Sequence, residues 1–133
     1  MKTKQMLRLA LLLTACCFFL ASQRGYPEGV QEPLVRLAEL EIFTDQLGAY
    51  TAALKEEIAT SVRVEPGVLT LYAVSVKDHP EQIRLFEAYR DSSAYHAHLQ
   101  SPHFKKYKEQ TRLMVKSLTL LETDTILLAS KSR

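Results

Sequence analysis

Leu47, Tyr50, Leu54, Ile58 and Val62 follow one another at spacings of three, four, four and four, the repeat of one face of an α-helix. On that reading Lys55, Glu56 and Glu57 fall on the solvated side. Thr44-Asp45-Gln46 precedes the stripe as a polar start, with Thr44 or Asp45 as the cap. Upstream, residues 34–43 (LVRLAELEIF) mix apolar and polar positions at period two and predict a first strand. Glu65-Pro66-Gly67 ends the helix as a turn, Pro66 fixing φ and Gly67 permitting positive φ. Residues 68–76 (VLTLYAVSV) are almost wholly apolar and predict a second strand, central in its sheet. Residues 77–82 (KDHPEQ) read as a hairpin loop and residues 83–89 (IRLFEAY) as a third strand, in which Glu87 is the only carboxylate.

Asp91-Ser92-Ser93 caps a short helix over residues 94–100, and Ser101-Pro102 starts a second helical piece. A Ser cap followed by Pro at the first helical position is a strong start signal. Phe104, Tyr107, Thr111, Met114 and Leu118 mark its inner face, while Lys105, Lys106, Lys108, Arg112 and Lys116 mostly face water. Residues 118–129 (LTLLETDTILLA) predict a fourth strand. The order β-α-β-β-α-β is that of an α+β, ferredoxin-like domain, a four-stranded antiparallel sheet with helices on one face. Strand two is apolar on both sides, with Val68, Tyr72, Val74 and Val76 on one and Leu69, Leu71 and Ala73 on the other. Helices cover only one side, so a second copy is the simplest cover for the other, and a homodimer is expected.

The amino-terminal residues read differently. Lys2, Lys4 and Arg8 lead into a 13-residue uncharged run, Leu9 to Ala21, the layout of a secretory signal. Spanning a bilayer as a helix takes roughly 20 residues. Residues 1–25 are therefore assigned as a signal peptide or lipoprotein signal. Leu13-Thr14-Ala15-Cys16 resembles a lipobox in which Cys16 is lipidated, although Cys17, Phe18, Phe19 and Leu20 follow where a polar tether is usual. Residues 26–33, within GYPEGVQEP, form a linker, and residues 34–130 the domain. The expected location is outside the cytoplasm, periplasmic or on the cell envelope, with membrane attachment through the amino-terminal segment as an option.

Charge narrows the partners. Of 17 Lys and Arg, four precede Gly25, which leaves 13 against 15 Asp and Glu in the remainder. A nucleic-acid binder is usually strongly basic, so no nucleic-acid partner is expected. Both cysteines, Cys16 and Cys17, lie in the amino-terminal segment. That excludes an internal disulfide framework, a thiolate zinc site and a cysteine nucleophile from the domain. No Gly-rich dinucleotide fingerprint, P-loop or two-His-one-carboxylate pattern on one element is visible.

Glu65-Pro66-Gly67-Val68, Phe86-Glu87-Ala88-Tyr89-Arg90-Asp91, Ala94-Tyr95-His96-Ala97-His98-Leu99 and Ser101-Pro102-His103-Phe104 stand in order with the spacing of one family. Together they resemble antibiotic biosynthesis monooxygenase (ABM) domains, and within that family the proteins provisionally assigned as quinol monooxygenases. The resemblance covers about residues 34–129. It implies a dimeric α/β barrel made from two sheets, with a pocket in each subunit between sheet and helices. It also implies oxygenation without metal, flavin or haem, the substrate itself supplying electrons to molecular oxygen. Neither cofactor nor metal is therefore expected. The chain has no Trp and no Asn. Haem-degrading relatives use both beside a His, so haem degradation is not expected.

Cofactor-free oxidation of a phenol needs a group that takes the hydroxyl proton, and a His or carboxylate beside an apolar pocket suits it. His98 falls where the resemblance places a pocket-facing helix histidine, and is the candidate catalytic base. His96, two residues away and roughly 200° around the helix, faces elsewhere. Tyr72, Glu87, Tyr89, His103 and Phe104 are candidate substrate-binding residues. For Glu87 the plainer reading is a structural pair with Arg36 or Arg84, for His103 packing or capping, and for the two tyrosines ordinary core. The expected activity is cofactor-independent monooxygenation of a quinol-like or polyphenolic aromatic. The alternatives are a non-enzymatic dimeric binding module, and an isomerase of a small dione, which would want a basic pocket where the strands offer only Arg36, Arg84 and Arg90.

Overall fold

Alternation at period two makes β1, Leu34–Ile42, a strand with two working faces. Ala38, Leu40 and Ile42 point to one side and are buried, whereas Leu37 and Glu39 point to the other. The computed structural model describes residues 32–130; the signal-like segment, Cys16 and most of the linker lie outside the described residues. A single 3₁₀ turn, Thr44–Gln46, leads from β1 into α1, Leu47–Val64. The chain continues through β2 (Val68–Val76), β3 (His79–Tyr89), α2 (Ser92–Gln100), α3 (Pro102–Thr111) and β4 (Val115–Glu122). The order along the sheet is β2-β3-β1-β4, with every neighbouring pair antiparallel. This is the ferredoxin-like α+β fold.

β2 is an edge strand, not the central one that its apolar run predicts. The α1 crossover carries the chain past the space beside β1, and the β2–β3 hairpin then folds β3 into it. A register shift between Val68 and Thr70 also sends Val68 inward with Leu71, so the simple alternation of faces fails at the start of β2. The hairpin loop is shorter than expected. β3 begins at His79, and Asp78 takes the left-handed conformation (φ 65°) that its side chain tolerates. Pro80 is accommodated because it lies at the irregularity between Ser75 and Val76 and before the pairing with β1 begins at Gln82.

α1 buries Tyr50, Leu54, Glu57 and Ser61. Ile58 is half-buried, and Val62 is 50% exposed. The buried stripe thus turns away from the apolar one toward polar residues in the second half of the helix. Glu57, expected in water, is 6% exposed. α2 is capped by Asp91, whose carboxylate accepts from the Ala94 amide at 2.7 Å. α3 is capped by Ser101, whose hydroxyl accepts from the Phe104 amide at 3.2 Å, with Pro102 in its first turn. β4 starts three residues earlier than predicted and stops at Glu122. Past it the ladder gives way to side-chain bonds, Thr123 and Thr125 donating to the carbonyls of Val35 and Pro33. Gly67 does not have a positive φ; it lets the turn approach α2, where an added Cβ would lie 2.4 Å from the Ala94 Cβ.

Ala38, Leu40, Ile42, Tyr50, Leu54, Ile83 and Tyr107 form the main core between helices and sheet, and Val68, Leu71, Tyr89 and Ala94 a second cluster at the β2 end. Truncating Leu40 or Leu54 to Ala in such a core costs about 2–5 kcal/mol. The opposite face has no such cover. Tyr72, Phe86, Leu37 and Leu121 stand in register as one row across all four strands, with Tyr72 67% exposed. Among the described residues no helix is long and apolar enough to cross a membrane.

Candidate functional site

α2 and α3 leave the β1–β4 half of the sheet partly uncovered, and a cavity of about 590 Å³ opens there. Ala38, Leu40, Leu85, Leu118 and Leu120 form its floor, and Leu99 and Phe104 close it from the helices. His98 and Glu87 are among its polar walls. A second cavity of about 30 Å³ lies behind, sharing Leu85, Glu87, His98, Phe104 and Tyr107 with the first and closed by Leu54, Ile58 and Leu71. The helix-covered face of the sheet, rather than the open one, therefore lines the cavity.

His98 is 3% exposed. Its ring lies 4.7 Å from that of Phe104 and 5.3 Å from that of Tyr89, centroid to centroid. Nδ1 is 2.9 Å from Glu65 Oε1, while Nε2 faces Glu57 Oε1 at 3.7 Å, beyond hydrogen-bond length. His103 Nε2 reaches the same Glu65 oxygen at 2.6 Å. Two histidines five residues apart would diverge on one continuous helix. The break at Ser101-Pro102 lets both turn to one carboxylate. Burial works to raise the Glu65 pKa, but hydrogen bonds from His98 and His103 outweigh it and hold the group below its ordinary value. Glu65 is therefore an acceptor, and both ring nitrogens facing it donate. For His98 this places a proton on Nδ1, while Nε2 faces Glu57. Ser61 donates to Glu57 Oε1 at 2.7 Å and steadies that second carboxylate.

Glu87 stands on the inner face of β3 between Leu71 on β2 and Arg36 on β1. Tyr89 donates to its Oε2 at 3.0 Å. Burial pushes the Glu87 pKa up, and nearby Glu57 adds to the rise; the Tyr89 hydrogen bond, His98 and Arg36 only partly offset it. Arg36 is opposite Glu87 in register but pairs with Glu122 at 3.6 Å, its guanidinium lying 4.7 Å over the Tyr95 ring. Arg84 pairs with Glu39 on the open face of the sheet. Burial, then the charge of Glu87, drive the Tyr89 pKa upward, so its hydroxyl stays a donor.

The remaining candidates are spread more widely. Phe104 is a wall of both cavities. Tyr89 is fully buried and acts on Glu87 through its hydroxyl. His103 acts through Glu65. Tyr72 borders only the smaller cavity and is otherwise exposed. His96 is on the surface, donating to the Ser92 carbonyl at 2.7 Å. Glu57 and Glu65 are the residues that sequence reasoning missed. With Ser61 between them they recur at intervals of four, a polar stripe continuing the Tyr50–Leu54 face.

Glu57, His98 and His103 come from three elements and offer ligand atoms within 4.8 Å of one another, so a cation could be held here. Ligands bound at the usual zinc distances lie about 3.4 Å apart around a tetrahedral centre. Glu65, outside that group, meets the two rings at 2.6 and 2.9 Å, the separations of hydrogen bonds.

Comparison with known proteins agrees with this geometry. A family model described as antibiotic biosynthesis monooxygenase matches residues 33–110. A crystal structure from Bacteroides thetaiotaomicron, provisionally named an antibiotic biosynthesis monooxygenase, is 44% identical, covers 79% of this chain and 100% of its own, and superposes with a TM-score of 0.74. One from Lactobacillus acidophilus, provisionally named a monooxygenase, is 32% identical over 66% of this chain but only 42% of its own, with a TM-score of 0.65. A third, from Nitrosomonas europaea, shares the fold at 20% identity and a TM-score of 0.67, covering 71% of this chain and 99% of its own. No curated protein matches the chain.

Proposed function

The chain belongs to the antibiotic biosynthesis monooxygenase family, and from that premise we propose that it oxidises a quinol-like or polyphenolic aromatic with molecular oxygen, using no cofactor. The observation that carries the reading is the placement of His98. Its Nδ1 proton is committed to Glu65, its Nε2 lies beyond hydrogen-bond length from Glu57, and the ring forms a wall of a mostly apolar cavity large enough for a bicyclic aromatic. His98 takes the proton of a ring hydroxyl. The imidazolium that forms has a carboxylate on each side, so the charge transfer is compensated as it develops.

The resulting anion gives an electron to oxygen more easily than the phenol does. Oxygen adds to a ring carbon to form a hydroperoxide. Loss of one water then breaks the O–O bond, so that a quinol and one oxygen molecule become a hydroxyquinone and water. The electrons come from the substrate, and the smaller cavity behind His98 has room for a diatomic molecule beside the ring. Glu87, with its raised pKa, carries a proton more readily than an ordinary carboxylate and supplies a hydrogen bond to the substrate oxygen.

Pairing of two copies through the open face is part of the same proposal, supported by the Tyr72–Phe86–Leu37–Leu121 row. Export, with or without lipid on Cys16, rests on the sequence of the first 25 residues alone.

The test is oxygen uptake with 1,4-dihydroxynaphthalene, corrected for the rate without protein, together with the product mass under ¹⁸O₂. Uptake, one labelled oxygen in the product and a large loss in His98→Ala are expected, with folding checked by circular dichroism. Binding without uptake would leave a small-molecule binding module. Uptake without label in the product would make the protein an oxidase rather than a monooxygenase.

A further inference from the structure

Resting on the aromatic-oxidation reading, we infer that the substrate is an aromatic acid, whose anionic group sits at the cavity mouth while its hydroxylated ring lies against His98. Three charged side chains line the mouth, Lys108 and Arg112 from α3 and its end and Lys116 from β4, and all three are cationic. Arg112 pairs with Glu109 at 3.3 Å and Lys116 with Glu41 at 2.6 Å, but neither carboxylate lines the cavity. Lys108 has no carboxylate partner among the described residues. The one acid in the wall, Glu87, is deep beside His98 and has a raised pKa. With Arg112 and Lys116 each offset by its partner, the entrance keeps the uncompensated charge of Lys108, while the cavity floor is apolar.

That polarity selects by class. A neutral ring gains only the apolar walls, Leu40, Leu85 and Leu118 among them. A ring bearing a carboxylate gains the walls and the mouth together. The strand arginines do not supply this charge, since Arg36, Arg84 and Arg90 are absent from the cavity lining. A small phosphorylated dione would meet the cations but leave most of the apolar floor uncovered.

Calorimetric titration of the full chain with 5-hydroxy-1-naphthoic acid, whose carboxylate lies on the ring away from the hydroxyl, and with 1-naphthol tests the inference, because neither is a hydroquinone and no turnover is needed. The acid should bind about fivefold tighter in dilute buffer, a factor set by attraction between solvated charges. The preference should fade in 1 M salt, where the Debye length is about 3 Å. The triple variant Lys108→Gln, Arg112→Gln, Lys116→Gln should lose the preference and keep its affinity for 1-naphthol, which also reports that the cavity is intact. Lys108→Arg should retain it. Equal binding of the two probes, a preference that survives the triple substitution, or binding of neither would overturn the inference. Preferential binding of the acid combined with no oxygen uptake on its para-dihydroxy analogue would uphold the ligand class and sink the oxidation.

Discussion

Replacing Glu65 with Gln isolates the charge of one carboxylate while keeping its shape and one carbonyl acceptor. In the native chain a single oxygen of Glu65 receives His98 Nδ1–H at 2.9 Å and His103 Nε2–H at 2.6 Å. Hydrogen bonds to a charged group contribute about 1.5–3 kcal/mol each, and charge assistance accounts for roughly half of that. With two such bonds, the variant should lose about 1.5–3 kcal/mol, which for a domain of this size lowers Tm by roughly 10 °C. The Glu65 side chain is 13% exposed, so solvent screening removes little of this. The folded pKa lies below the ordinary value of 4.5. The contribution is therefore fully present above that value and lost as pH falls through the depressed folded pKa. Urea unfolding followed by far-UV circular dichroism, at pH 7 and at steps below pH 4.5, gives both numbers. Equal midpoints at pH 7, or a gap between the two proteins that does not narrow in acid, would falsify the bridged-histidine account. Because Gln no longer fixes the His98 tautomer, oxygen uptake should fall more in kcat than in KM, and Glu65→Asp should recover part of it.

Three further outcomes follow from the geometry. Glu87→Gln should be more stable than the native chain at pH 7: a raised folded pKa gives stability that is present below 4.5 and lost as pH rises through the folded value, so a Tm series from pH 4 to 8 should show the two curves diverging upward in pH. Gly67→Ala places a Cβ 2.4 Å from that of Ala94 and should cost about 1–3 kcal/mol in urea unfolding; the double variant with Ala94→Gly should recover most of it. Tyr72→Arg, in the exposed cross-strand row, should turn the proposed dimer into a well-folded monomer in sedimentation velocity, and an unchanged mass would remove the open face as the pairing surface.

The order of elements was legible in the sequence because the elements have their own periods and turn signals and two of the three helices their caps, whereas neither Thr44 nor Asp45 caps α1, which starts without a side-chain cap. Asp91 and Ser101 bond the amides expected of N-cap residues. The position of β2 was not legible. An apolar run reports burial on both faces, yet an edge strand under helices on one side and with an apolar row on the other reads the same way. The end of β4 was misread for a related reason. Ile126 and Leu127 extend the apolar pattern, but they are 101% and 78% exposed, and the backbone there is held by Thr123 and Thr125 instead of a ladder.

The site itself was half visible. His98 stood out because the family resemblance places a pocket-facing helix histidine at that position. Glu57, Ser61 and Glu65 did not, because the stripe they form and the stripe through Ile58 and Val62 have the same helical period. Hydrophobicity breaks that tie toward Ile58 and Val62, and the fold breaks it the other way for Glu57 and Ser61. Burying Glu57 at 6% exposure near Glu87 is costly for folding, since a carboxylate is taken out of water and its charge raises the energy of ionising Glu87. A helix that put its apolar residues inward throughout would avoid that cost. It would also leave His98 with no acceptor for Nδ1–H and no counter-charge beside Nε2. The polar stripe thus gives His98 a hydrogen-bond partner at Nδ1 and a carboxylate beside Nε2 at the cost of burying Glu57, which is why rules that weigh apolar burial alone pass over it.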